Sequence, residues 1–131
     1  MLYPINVDHR IVDLHSHLGV FSVPKLNGIL DVNSLKGITQ PWLRSIDGLN
    51  THDDAYRLSI SGGVTSGLVL PGSANDIGGQ AFVIKLRETS ARTPTSMVVE
   101  PPFTLNSTDD IDFAANPRWR HMKYVCFSAD F

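Results

Sequence analysis

The sequence predicts an α/β fold in a single domain, on three observations. A strand-like run at residues 11–17 is followed by a helix-like segment starting near Thr51 and a second strand-like run at residues 64–70. That order pairs parallel strands through a crossover. The composition, 42% hydrophobic and 18% charged, is that of a globular chain with a core. The length of 131 residues accommodates one such domain. It excludes a complete (β/α)₈ barrel, which takes about 250 residues and at minimum about 200.

Ile11 and Val12 lead the first strand into alternation, and Gly19 breaks it. Between residues 20 and 50 no period holds. Pro24, Gly28, Gly37, Pro41 and Gly48 recur among isolated apolar residues such as Ile29, Leu35, Trp42, Leu43 and Ile46. A loop of that length in a compact domain is functional or contains a short element that periodicity does not expose. Thr51-His52-Asp53-Asp54 fits a helix start, with Thr51 as N-cap and an acid three residues on. Ala55, Leu58 and Ile60 continue that helix until Gly62-Gly63 stops it. Residues 64–70 have strand composition, and Pro71-Gly72 ends them with a turn signal. After a small polar loop, residues 80–86 read as a buried strand and residues 95–100 as another. Pro101-Pro102 closes the latter, since proline donates no ladder hydrogen bond. A short helix is expected around residues 118–124. Neither an internal repeat nor a low-complexity tract is present.

Charge and cysteine content exclude several classes. A formal charge of −2, from 11 basic and 13 acidic residues without a basic run, offers no footprint for nucleic acid. Cys126, the single cysteine, cannot form an internal disulfide, and residues 1–6 lack the basic and apolar regions of a secretion signal. A soluble, cytoplasmic protein in a reducing compartment is expected. The longest apolar runs, such as residues 67–70, are far short of the ~20 residues that span a bilayer, so no membrane partner is expected. Asn106-Ser107-Thr108 matches the glycosylation sequon but, without a signal, reads as a polar turn.

The sharpest local feature is Asp13-Leu14-His15-Ser16-His17. In a regular strand residues two apart share a face, so Asp13, His15 and His17 are expected to project together, with Leu14, Ser16 and Leu18 opposite. Two imidazoles at the end of a strand can ligate one divalent metal, and a nearby carboxylate can orient a ring or bind directly. In a chain with five histidines a His-x-His pair arises by chance with a probability of about 0.2, so two ordinary strand histidines are the competing reading. The following glycine puts the pair at the mouth of a parallel sheet, where α/β proteins keep their sites. The glycine-rich loop at residues 71–80 matches neither phosphate-binding pattern. It reads first as a tight strand-to-strand connection and second as a place where backbone passes close to a ligand. His52 reads as part of the helix start, His121 beside Arg120 and Lys123 as a solvated face, and Cys126 as a small buried hydrophobe. No G-x-S-x-G nucleophile elbow occurs.

Three segments occur in order: Ile-Val-Asp-Leu-His-Ser-His-Leu-Gly at residues 11–19, Gly-Gly-Val-Thr-Ser-Gly at residues 62–67 and Leu-Pro-Gly-Ser-Ala-Asn at residues 70–75. Together they resemble the N-terminal part of the amidohydrolase superfamily. The likeness is to imidazolonepropionase-like hydrolases and to proteins grouped with the N-acetylglucosamine-6-phosphate deacetylases of carbohydrate esterase family 9. It extends over residues 10–125.

The resemblance implies that residues 1–131 form a single partial domain, an incomplete TIM-barrel-like fragment with the first barrel strands. It also implies that His15 and His17 supply two ligands to a catalytic divalent metal, zinc above all. The implied reaction is hydrolysis of a non-peptide C–N bond in a small-molecule substrate, through water whose pKa the metal lowers towards ~7. The bridging carboxylated lysine or glutamate, two further histidines and the catalytic aspartate are expected beyond residue 131. Spacing assigns none of Lys85, Glu100 or Lys123 to the bridge, so the catalytic residues stay unknown. Relatives continue from a segment like His121-Met122-Lys123 into a Gly-Glu-Asn-Pro type motif, whereas residues 126–131 read Cys-Phe-Ser-Ala-Asp-Phe. The expectation is a truncated, catalytically incomplete segment, because open catalytic zinc sites use three protein ligands. The alternatives are a non-enzymatic product that acts as an interaction fragment, or a small complete α/β binding domain. Oligomeric state is left open.

Overall fold

The computed structural model describes residues 10–27, 34, 36–99 and 121–124. Strand β1 (Ile11–Ser16) lies parallel to β2 (Val64–Val69), with Ile11 opposite Val64 and Val12 opposite Ser66. Helix α1 (Ala55–Ser61) lies between them in sequence, so the strand, helix, strand order predicted from composition is present. Strand β3 (Ile77–Lys85) then runs antiparallel to β2, and β4 (His121–Tyr124) antiparallel to β3, giving one four-stranded sheet in the order β1-β2-β3-β4. The polar loop before Ile77 is therefore a strand-to-strand connection, and the mixed sheet keeps β1, β2 and β4 in one direction. With β1 at the sheet edge, Ile11, Val12 and Leu14 are exposed, Leu14 at 73%. Among the described residues no helix is long and apolar enough to cross a membrane.

Several elements differ from expectation, each for a local reason. Thr51 does not cap α1: its hydroxyl donates to the Arg92 carbonyl at 2.9 Å, and the N-cap is Asp54. The buried Asp53 carboxylate takes over, accepting from the backbone of Ala55 at 2.9 Å and of Val23 at 3.1 Å. Residues 94–97 form a helical turn, α2 (Pro94–Met97), rather than part of a strand over 95–100. Pro94 is pre-set for a first helical turn, and Thr93 and Ser96 form a reciprocal capping box that outweighs the strand preference of the valines. Val98 makes only a single bridge, to Ile84. Residues 121–124 are strand, not helix, because β3 offers them a ladder. The unpatterned stretch at 20–50 contains a 3₁₀ turn, Ser45–Gly48, and touches β3 through the bridges Thr39–Ile77 and Arg44–Gln80. Cys126, the sequon, Pro101-Pro102 and residues 118–120 lie outside the described residues.

The core gathers Val20, Leu49, Tyr56, Val69, Ile84, Leu86 and Met97, with Leu18, Val64 and Val98 packed against it. The turn after β1, α1, β2, β3 and α2 thus share one apolar cluster. The turn needs glycine: Gly19 has φ +81°, and a Cβ there would press on the Tyr56 hydroxyl and stand 2.8 Å from Leu49 Cδ1.

Tyr56 donates its hydroxyl to the Asn50 carbonyl at 2.6 Å. Burial, and then the negative charge of Asp53, push its pKa above the ordinary phenol value of about 10. The raised folded value means that the proton is held more tightly in the folded chain. Its contribution is therefore complete below about pH 10 and is lost as pH rises towards the folded value. Urea unfolding between pH 8 and 11 is expected to show this loss. Tyr56→Phe removes the loss and lowers stability at neutral pH by roughly 0.5–1.5 kcal/mol through the missing hydrogen bond.

Candidate functional site

Strand β1 ends in a bulge, and the bulge builds the site. Asp13 pairs with Gly67 and Ser16 with Val69, so three steps along β1 oppose two along β2. One extra residue breaks the alternation of faces. The Asp13 carboxylate turns back to accept from the backbone of His15 at 3.0 Å. It serves the bulge, and the expectation that Asp13, His15 and His17 project as a regular same-face row is corrected accordingly. The two imidazoles do come together, with ring centroids 5.5 Å apart and planes at 69°.

Each ring has a partner that sets its chemistry. His17 Nδ1 lies 3.1 Å from the Leu70 carbonyl, just past β2. A carbonyl only accepts, so Nδ1 carries the hydrogen and the lone pair falls on Nε2. Leu70 is itself fixed by its N–H donating to the Ser16 carbonyl at 2.9 Å. Ser45 Oγ donates to the neighbouring Val69 carbonyl at 2.8 Å. His15 presents Nε2 to Lys123 Nζ at 3.2 Å. A lysine ammonium donates only, so Nε2 is again the lone-pair nitrogen. Nε2 is thus the lone-pair nitrogen of both histidines; the Leu70 carbonyl holds the His17 ring from behind, as metal-ligating imidazoles are held, whereas His15 meets Lys123 at Nε2 itself.

Lys123 is the residue that sequence reasoning missed. It is 6% exposed and lies on β4 between the exposed Met122 and Tyr124. The sequence neighbourhood, with Arg120 and His121, resembles a solvated face, yet His121 is half-buried. The signal lies in the partner strand: Gly79 pairs with Lys123, and a Cβ on Gly78 would stand 3.1 Å from Lys123 Cγ and 2.9 Å from the Gly72 carbonyl. Gly78 of β3 makes room for the lysine stem. Lys85 is elsewhere, donating to Ser66 Oγ at 2.8 Å, and Glu100 lies outside the described residues.

His52 is exposed in the turn before α1, its Nδ1 2.9 Å from Thr51 Oγ1. It lines a separate concavity of about 100 Å³ with Arg57, Glu88 and Arg92. Arg57 and Arg92 both pair with Glu88, and the Arg57 hydrogen bond holds the Glu88 carboxyl below its usual range. The two guanidiniums share the one carboxylate.

Among the described residues no group of three or more His, Cys, Asp and Glu side chains is arranged to hold a metal ion. The donor chemistry of His15 and His17 fits a borderline divalent cation, as two imidazoles of the three protein ligands that an open zinc site uses. They make two of its three ligands.

No protein-family model matches the chain. The amidohydrolase tasK of Hapsidospora irregularis is 44% identical over 124 residues, covering 88% of this chain and 11% of that relative. A crystal structure of an amidohydrolase from Thermotoga maritima MSB8 superimposes with a TM-score of 0.61 at 37% identity, covering 68% of this chain and 22% of the solved one. The chain spans about a tenth of the first relative and about a fifth of the second.

Proposed function

We propose, from the premise that the chain is a segment of the amidohydrolase superfamily, that it contributes the first two metal ligands of a hydrolase acting on non-peptide C–N bonds. His15 and His17 are those ligands, through Nε2. The observation that carries the reading is the tautomer of His17: the Leu70 carbonyl holds Nδ1–H, which aims a lone pair from the bulged end of β1. A divalent metal, zinc in the first instance, supplies Lewis acidity and a water ionised near neutral pH. The chain's own residues position that chemistry. The Asp13 carboxylate holds the bulge, Leu70 and Ser16 lock β1 to β2 beside the rings, and Gly78 leaves room for the Lys123 stem. In this reading β1 to β4 are part of a TIM-barrel-like domain, and the edge of β1, unpaired among the described residues, receives a strand from the remainder of that domain.

Two ligands are one short of a catalytic zinc site. The isolated 131-residue chain is therefore expected to hydrolyse no amide or cyclic amidine above the rate of free zinc. In a domain that includes this segment and the remaining strands, His15→Ala or His17→Ala is expected to remove both bound metal and hydrolysis. Retention of both by either variant contradicts the assignment.

A further inference from the structure

We propose that Lys123 governs metal entry at the His15–His17 pair by occupying the ligand position of His15. The inference rests on the metal reading of the two histidines. Nε2 of a neutral imidazole has one lone pair, and that of His15 accepts from Lys123 Nζ at 3.2 Å. The same lone pair cannot also coordinate a metal, so a divalent cation binds His15 only after Lys123 has moved away. Leaving is opposed by packing. Lys123 is 6% exposed, its strand is laddered to Gly79 and Gln80 of β3, and its stem lies against Gly78. A lysine charge beside the incoming ion adds repulsion that a buried setting screens weakly. The four-carbon stem is long and flexible enough to swing aside when a competing ion takes the nitrogen. Lys123 thereby weakens the capture of stray cations by the two-histidine segment.

The test is competition with a chromophoric chelator for zinc, using the 131-residue chain in carbonate-free buffer so that Lys123 stays an amine. Lys123→Met, which keeps length and removes charge and donors, is expected to bind zinc about 10–100-fold more tightly than the parent. Lys123→Arg, which keeps the cation, is expected to bind no more tightly. Unchanged or weaker binding by a folded Lys123→Met chain overturns the proposal. If circular dichroism shows that variant unfolded, the parent chain supplies a second readout. Zinc saturation is then expected to raise the acetylation rate of Lys123 several-fold relative to the exposed Lys25, and an unchanged ratio overturns the proposal. His15→Ala separates the two ideas. Parental zinc affinity in that variant removes the metal reading itself, whereas lost affinity beside an unaltered Lys123→Met removes only the role of Lys123.

Discussion

His17→Ala is expected to abolish specific zinc binding by the 131-residue chain. The substitution removes one of two imidazoles and with it all chelation. The loss therefore exceeds the roughly 10–100-fold that losing an outer partner of a metal ligand costs. The Leu70 carbonyl is left without the Nδ1–H that it receives in the parent. Deleting the half-buried ring leaves space in which water can replace the hydrogen, so the fold is expected to survive. His52→Ala is the internal control, since His52 is exposed in the turn before α1, with its Nδ1 beside Thr51 Oγ1. Calorimetric titration of zinc into the three chains checks the prediction. Equal affinities in His17→Ala and the parent would remove His17 from the site.

Ile84→Ala is expected to cost about 2–5 kcal/mol, the range for deleting a buried isoleucine whose surroundings relax only in part. Ile84 is 1% exposed, opposite Gly67 on β2 and bridged to Val98 after α2. It ties the sheet to the segment that closes the core, and the glycine opposite cannot fill the space left. Against a total stability of about 5–15 kcal/mol for a domain, this is a large fraction. Urea unfolding followed by circular dichroism measures it. Met122→Ala, at an exposed position on β4, is expected to shift the midpoint by less than about 0.5 kcal/mol.

Much of the fold was legible because periodicity and breakers carried it. Ile11-Val12, the helix from Ala55 stopped by Gly62-Gly63, and the strand closed by Pro71-Gly72 each combine a pattern with a terminator, and the structure has all three. Where two local preferences competed, the pattern misled. Val98-Val99 favours a strand, but Thr93-Pro94 and Ser96 start a helical turn that ends in a single bridge. Residues 121–124 take their conformation from β3, more than thirty residues away in sequence, and local propensity holds no information about that pairing.

The site divides in the same way. That His15 and His17 belong together follows from their spacing, and the amidohydrolase resemblance read from three ordered motifs agrees with both relatives. The bulge did not follow, because Asp13, His15 and His17 alternate as they would in a regular strand; only the register against Gly67 and Val69 exposes the extra residue. Lys123 was illegible for a further reason. Its stem packs where Gly78 has no side chain, so the lysine carries no mark of its own.

The central claim is that His15 and His17 offer their Nε2 lone pairs to one divalent ion, and long-range ¹H–¹⁵N spectra of the imidazoles test it most directly. Before zinc, His17 is expected in the Nδ1–H tautomer; with one equivalent of zinc, the Nε2 signals of His15 and His17 are expected to move together while His52 stays unchanged. A His17 ring protonated on Nε2 in the free chain, or zinc-induced shifts that spare the pair, would contradict it.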